Sequence, residues 1–175
     1  MKRLDASFYR RSALDVAPEL LGKWLCRQTE EGVLRVQITE TEAYVGEDDS
    51  ACHASRGRTP RTEVMYSPGG VAYIYLCYGI HHLLNIVTGK EGDPEGVMIR
   101  AVEGANGPGK LTRLLGITRA LNRENIVRSN VFWVEDDGGV YSYSTAPRVG
   151  IDYAKPEDRD RLWRFILKRE IVPES

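Results

Sequence analysis

Leu34-Arg35-Val36-Gln37-Ile38-Thr39-Glu40-Thr41-Glu42-Ala43-Tyr44-Val45 alternates apolar and polar residues with the two-residue period of a β-strand. Gly32 marks a turn into it, so the spacing predicts a strand over Val33–Val45. Residues two apart share a face of a strand. On the even face Leu34, Val36 and Ile38 run straight into Glu40, Glu42 and Tyr44. If that alternation holds, both carboxylates point toward the interior or toward a pocket cut into it. An unpaired carboxylate there must be protonated, paired or functional. If the strand frays or bulges after Ile38, the carboxylates sit in water instead. Desolvation raises a glutamate pKa toward neutrality, which suits a general base. Paired carboxylates also serve glycoside hydrolysis and metal sites, and the spacing does not choose between these chemistries.

On the N-terminal side, Leu14–Leu21 reads as a short helix containing Pro18 and stopping at Gly22, and Lys23–Gln28 reads as a strand. On the C-terminal side, Gly46–Gly70 has no strong period and many turn formers, but it also carries His53, Met65 and Tyr66. That mixture predicts a long functional loop. Val71–Tyr78 is β-branched and aromatic, and Gly79–His82 turns it back into Leu83–Thr88, a hairpin. Val97–Val102 is a further strand, and Lys110–Leu121 has the spacing of a helix. Val131–Glu135 and Val140–Ser144 read as a hairpin around Asp137-Gly138-Gly139, and Arg161–Ile171 as a closing strand. The sum is an α+β fold, one domain over 1–175, with a curved, mostly antiparallel sheet, short flanking helices and a protruding hairpin.

With 42% hydrophobic and 28% charged residues, the 175-residue chain has the composition of a soluble globular protein. It contains no apolar run of membrane-spanning length. Met1-Lys2-Arg3-Leu4-Asp5-Ala6 lacks the apolar core of a signal peptide. The three cysteines Cys26, Cys52 and Cys77 have neither disulfide nor zinc spacing. A reduced, cytoplasmic protein without membrane contact is expected. The net charge of -1 gives no global sign of nucleic acid. Locally, however, Arg56, Arg58 and Arg61 crowd one Gly/Pro/Ser/Thr-rich loop, which is either an electrostatic footprint or a solvated loop.

Five of the nine tyrosines lie between Tyr44 and Tyr78. Tyr73 reads as an ordinary sheet aromatic, whereas Tyr78 sits at a hairpin tip, where an exposed ring suits base stacking or wedging. Gly104-Ala105-Asn106-Gly107-Pro108-Gly109-Lys110 nearly matches a nucleotide-binding P-loop. Leu111 then stands where a magnesium-binding hydroxyl is needed, which argues against that reading. Helix N-terminal amides together with Lys110 could still hold a DNA phosphate.

Taken in order, a set of blocks resembles the alkyladenine (3-methyladenine) DNA glycosylase family. They are Ile38–Gly46, Ala51-Cys52-His53, Gly57-Arg58-Thr59-Pro60-Arg61, Tyr73–Gly79 with Asn85-Ile86, Ile99-Arg100-Ala101, Gly107–Leu111 and Arg148-Val149-Gly150. Each block is weak alone, but the ordered set covers most of the chain. The resemblance implies a monofunctional enzyme of base excision repair that flips a damaged purine nucleotide out of duplex DNA. It needs neither a metal nor an organic cofactor; association with the nucleoid through DNA is expected, and a monomer is the default for an enzyme that must track along a duplex. It implies that Glu42 deprotonates the attacking water, that Arg100 helps hold that water, and that Val149 contributes its main-chain carbonyl. Tyr44 would stack on one face of the extruded base, with His53 and Tyr75 on the other and Asn85 lining the pocket. Tyr78 would fill the gap in the duplex, and Arg58, Arg61 and Lys110 would meet the DNA backbone. Glu40 is expected to be structural, bonded to backbone amides or an arginine. Two departures bear on substrate range. Only three residues separate Glu103 from Gly107, where many members carry a longer helical insert. Ile80-His81-His82 also follows the hairpin tip, with both histidines expected in solvent. Two other classes stay open on the residues alone: a carboxylate-pair or metal-assisted hydrolase using Glu40, Glu42 and His53, and a non-catalytic binder of DNA lesions.

Overall fold

The computed structural model describes residues 1–171, so residues 172–175 of the expected domain lie outside the described ones. Among the described residues nine strands form the sheet: β1 (Lys2–Arg3), β2 (Trp24–Thr29), β3 (Gly32–Val45), β4 (Ala72–Cys77), β5 (His81–Thr88), β6 (Glu95–Val102), β7 (Phe132–Asp136), β8 (Tyr141–Ala146) and β9 (Arg164–Ile171). Their order is β1-β7-β2-β3-β6-β5-β4, with β9 joining β3 and β8 lying on β9. The strand pairings among the described residues are antiparallel. The helices are short: α1 (Ala6–Tyr9), α2 (Ala13–Glu19), α3 (Pro108–Leu115) and α4 (Pro156–Arg159). This is the α+β architecture expected from the alternation. Among the described residues no helix is long and apolar enough to cross a membrane.

The long strand β3 organises the sheet. Its first half pairs with β2, Val36 opposite Leu25. Its second half lies between β6 and β9, where Glu42 faces Met98 on one side and Arg164 on the other. The register against β6 slips twice: Ile38 faces Val102, Glu40 faces Ala101, and Thr41 faces Ile99. Thr39 is thus an extra residue on β3 and Arg100 an extra residue on β6. A one-residue slip exchanges the two faces of a strand. Ile38 and Ala43 therefore share the main core, and Thr41 donates to the Ala17 carbonyl of α2 at 2.8 Å. Glu40, Glu42 and Tyr44 turn to the opposite face. The expectation that the apolar face runs into the glutamates is corrected here, and so is the alternative that a bulge leaves them in water. The bulge is real, but Glu42 is fully buried because other chain segments cover its face.

The main core packs α2 and α3 against the sheet, with Leu20, Leu25, Ile38, Ile99 and Leu111 inaccessible to solvent. Burying each such side chain is worth about 1.5–3 kcal/mol. The 46–70 segment is a packed wall with 3₁₀ turns at His53–Arg56 and Glu63–Tyr66. Val64, Met65 and Tyr66 from it form a second cluster with Tyr73 and Val87.

Two further expectations fail. Strands β7 and β8 do not form a hairpin: β7 pairs with β1 and β2, and β8 pairs with β9. Phe132, Trp133 and Val134 are buried and need a neighbour on each side. Asp137 accepts from the Trp24 indole N–H, the Gly139 amide and the Tyr141 hydroxyl, so the connection is tied to β2 and carries the chain across. Nor does the predicted helix reach Leu121. It begins at Pro108 and stops where Gly116 takes up a left-handed conformation (φ 61, ψ 35), a common helix terminator. Only a short 3₁₀ turn, Arg119–Leu121, follows.

Candidate active site

The bulge delivers Glu42 to a face roofed by the segment after β8. One carboxylate oxygen accepts the Tyr44 hydroxyl at 3.0 Å, and the other accepts the Val149 amide at 2.7 Å. Arg100, the extra residue of β6, brings its guanidinium to 3.7 Å from Glu42 and 3.8 Å from Glu40. Burial pushes the Glu42 pKa above the usual carboxylate range, opposed by the Arg100 charge and by both hydrogen bonds. Glu40 differs from its neighbour: it accepts a 2.8 Å hydrogen bond from Arg164 of β9. An arginine partner was the expectation for it. Val149 reaches Glu42 through its amide, whereas its carbonyl was the group expected to take part.

Beside this carboxylate lies a small pocket open to solvent. Tyr44, His53, Tyr75 and Asn85, all named from the sequence, line it together. The His53 ring contacts that of Tyr75, with centroids 4.6 Å apart. Its Nδ1 shares a 2.8 Å hydrogen bond with the Tyr73 hydroxyl. Burial, with the nearby Arg61 and Arg56 charges, pushes His53 down to about 4, so the ring is neutral at pH 7. Asn85 donates to the Tyr73 carbonyl at 3.2 Å, and its side-chain oxygen has no hydrogen-bond donor among the described residues. Tyr73, read as a plain sheet aromatic, is therefore the residue that fixes both His53 and Asn85.

The hairpin of β4 and β5 projects with its tip in solvent, Tyr78 being 92% exposed. Tyr78 (φ 52) and Gly79 (φ 70) are both left-handed, the conformation of a type I′ turn, and Ile80 N–H closes onto the Cys77 carbonyl at 3.2 Å. The histidines below it are packed, contrary to expectation. His82 Nδ1 accepts the Arg119 amide at 3.1 Å, and His81 lies close against Gly109 of α3. The shortened Glu103–Gly107 connection is a tight turn in which Val102 and Ala105 exchange hydrogen bonds of 3.1 Å. It brings Lys110, exposed, to the first turn of α3.

Of the arginines expected at DNA, Arg61 is exposed with its guanidinium 5.3 Å from the Tyr75 ring centre. Arg58 is held by Glu63 in a two-pronged ion pair of 2.7 Å. Sequence reasoning missed two residues of the site. Tyr153 lines the pocket and donates to the Ala51 carbonyl at 2.8 Å. Arg148 is buried beneath Tyr44. Arg148 was visible only as part of a motif block, and Tyr153 stands in a polar stretch without a periodic signal.

The sequence matches the family described as Methylpurine-DNA glycosylase (MPG) over residues 7–171. A relative from Methanocella arvoryzae is 45% identical over 96% of this chain and 94% of its own length. One from Psychrobacter cryohalolentis is 45% identical over 91% and 89%, and one from Desulfitobacterium hafniense 42% identical over 96% of each. All three carry the name "Putative 3-methyladenine DNA glycosylase". With the match spanning almost the whole chain, the protein belongs to the methylpurine-DNA glycosylase family, enzymes that hydrolyse N-glycosyl bonds in DNA.

Proposed function

We propose that this glycosylase flips a damaged purine nucleotide out of duplex DNA and hydrolyses its N-glycosidic bond with a water activated by Glu42, leaving an abasic site. The observation that carries the reading is a solvent-excluded carboxylate, raised above its usual pKa and held at both oxygens, beside an aromatic pocket. The water oxygen bonds to the sugar C1′ as the bond to the purine nitrogen breaks, and Glu42 takes the water's proton. Arg100 helps hold that water. Negative charge at Glu42 also stabilises the oxocarbenium character of the sugar. Tyr44 on one side, and His53 with Tyr75 on the other, stack on the extruded base. Because His53 is neutral it adds no like charge of its own, and its ring with those of Tyr44 and Tyr75 favours a cationic N-alkylated purine by cation–π attraction. Among the described residues no lysine lines the pocket, which favours direct hydrolysis over an imine route. Tyr78 fills the gap left in the duplex, and extrusion is cheapest for bases already mispaired or damaged.

A carboxylate-pair or metal-assisted hydrolase fits less well. Glu40 is committed to Arg164, and His53 Nδ1 to Tyr73. Among the described residues no three His, Cys, Asp or Glu side chains cluster to hold a metal.

The test is single-turnover excision from duplexes containing N3-methyladenine, ethenoadenine or hypoxanthine, with abasic sites revealed by alkali. Glu42→Gln is expected to slow excision by ~10²–10⁴-fold or more, the usual worth of a general base, while lesion-duplex affinity is kept. Excision surviving in Glu42→Gln would sink the proposed role of Glu42. Absence of excision from every duplex by the wild type would sink the reading as a whole.

A further inference from the structure

Both hydrogen bonds received by Glu42 come from groups in contact with one buried side chain, Arg148. Its guanidinium is enclosed between two rings, 4.8 Å from the centre of Tyr44 and 4.9 Å from that of Trp163. One terminal nitrogen donates to Asp49 at 2.6 Å and to the Ala43 carbonyl at 3.0 Å. The other donates to Asp49 at 2.9 Å and to the Asp158 carbonyl at 3.2 Å. Five segments meet on this one cation: β3 through Ala43 and Tyr44, the 46–52 loop through Asp49, the Arg148–Gly150 segment itself, α4 through Asp158, and the stretch before β9 through Trp163. Tyr44, stacked on it, is the residue whose hydroxyl binds one Glu42 oxygen. Val149, the next residue in the chain, supplies the amide on the other.

Resting on the proposed role of Glu42, we propose that Arg148 is a positioning residue, which holds that carboxylate in its reactive orientation through the Tyr44 ring and the Val149 amide. The terminal nitrogens are engaged four times, twice by Asp49 and once each by the Ala43 and Asp158 carbonyls, which fixes the plane of the guanidinium and so the place of the Tyr44 ring against it. Asp49 is itself pinned, accepting the Val45 and Ala51 amides at 3.0 and 3.1 Å. The clamp therefore also fixes the strand end and the start of the loop that carries His53.

Arg148 acts on Glu42 by charge as well. Its cation favours the ionised carboxylate, alongside the larger effect of Arg100. The charged and titratable groups around the pair are Arg100 from β6, Tyr44 on β3, Glu40 with Arg164 of β9, and Asp49 with Tyr153 across Arg148. Arg161 lies 4.8 Å from the Trp163 ring centre.

Single-turnover excision of an N3-methyladenine duplex across pH 5–9, with equilibrium binding and thermal melting, separates the possibilities. Arg148→Met is expected to cut the rate by ~10²-fold, as misplacement of a catalytic group does. It should also move the acid limb of the pH–rate profile to higher pH, with lesion affinity changed less than about threefold. Arg148→Lys keeps the charge but loses the planar fork, so the acid limb should stay while the rate remains depressed. If Arg148→Met fails to fold, Trp163→Leu removes one ring of the sandwich without touching a charge, and should lower the rate with the limb in place. Folded variants with wild-type rate and limb would overturn the proposal, as would rate losses that only follow loss of melting temperature or affinity. If Glu42→Gln still excises, it is the proposed role of Glu42 that fails. If Glu42→Gln is inactive and the Arg148 and Trp163 variants are unimpaired, the positioning role alone falls.

Discussion

The role proposed for Glu42 conflicts with its setting at the level of a single residue: to accept a proton it would have to be ionised, yet it is fully buried. Arg100, Arg148, Tyr44 and Val149 all favour the carboxylate, but burial outweighs them and the pKa in the folded state is raised. The sign for stability follows. Above the ordinary carboxylate pKa the unfolded chain has released this proton while the folded chain still holds it. Stability therefore falls as pH climbs from there through the raised folded value. Gln at this position has no proton to lose. Glu42→Gln should then melt higher than wild type at pH 8, by about 2–4 °C for each ~1 kcal/mol in a chain of this length, with the gain vanishing toward pH 4. Melting curves at both pH values check it. A variant that melts lower at pH 8 would mean that the arginines and hydrogen bonds outweigh burial. The same titration predicts that wild-type excision declines as Glu42 protonates on the acid side.

At the scale of elements, the β4–β5 turn carries its own conflict. Tyr78 holds a left-handed conformation that costs a residue with a side chain about 1–2 kcal/mol, and at 92% exposure its ring gains nothing back from packing. Local strain of this kind points to function. Asn-Gly is the preferred pair for a type I′ turn, so Tyr78→Asn should hold or raise the melting temperature. It should also weaken lesion-duplex binding by roughly 10-fold, the order of one lost base–aromatic stack. Equal affinity in Tyr78→Asn would remove the ring from the wedge role. The hairpin was legible in the sequence because its pairing is local: alternation gives both strands, and Gly79 gives the turn. The partners of β7 and β8 were not, since those pairings span residues far apart in the chain and both strands precede or follow a turn-like Asp137-Gly138-Gly139. Nor was the double register slip legible. Thr39 and Arg100 become extra residues only when β3 and β6 are laid side by side, and no property of either residue announces it.

At the scale of the molecule, the same division holds for the site. Glu42, Tyr44, His53, Tyr75, Asn85 and Arg100 were named from ordered motifs, and the fold gathers them around one pocket and its neighbouring carboxylate. Arg148 as a clamp was not foreseen, because its partners Asp49, Asp158 and Trp163 meet only in three dimensions. Charge follows a similar rule. A net charge of -1 says nothing of DNA, so affinity must come from where the cations lie. Arg61 lies beside β4 of the projecting hairpin, and Lys110 lies in the first turn of the helix packed on β5. Each phosphate neutralised adds about 0.9 to the slope of log affinity against log salt. Arg61→Ala and Lys110→Ala should each flatten the slope by about that amount without changing lesion preference. Arg58 differs, because Glu63 already neutralises it. That pair is half-exposed, however, and such pairs are worth only about 0–1 kcal/mol, so a phosphate can compete for the guanidinium. Glu63→Gln should therefore tighten binding by up to about fivefold and steepen the salt dependence, whereas Arg58→Ala in that background should undo both. Salt titrations of lesion and undamaged duplexes decide it: slopes unaffected by Arg61, Lys110 and Glu63 would mean that DNA lies against a different face from the one the hairpin and pocket share.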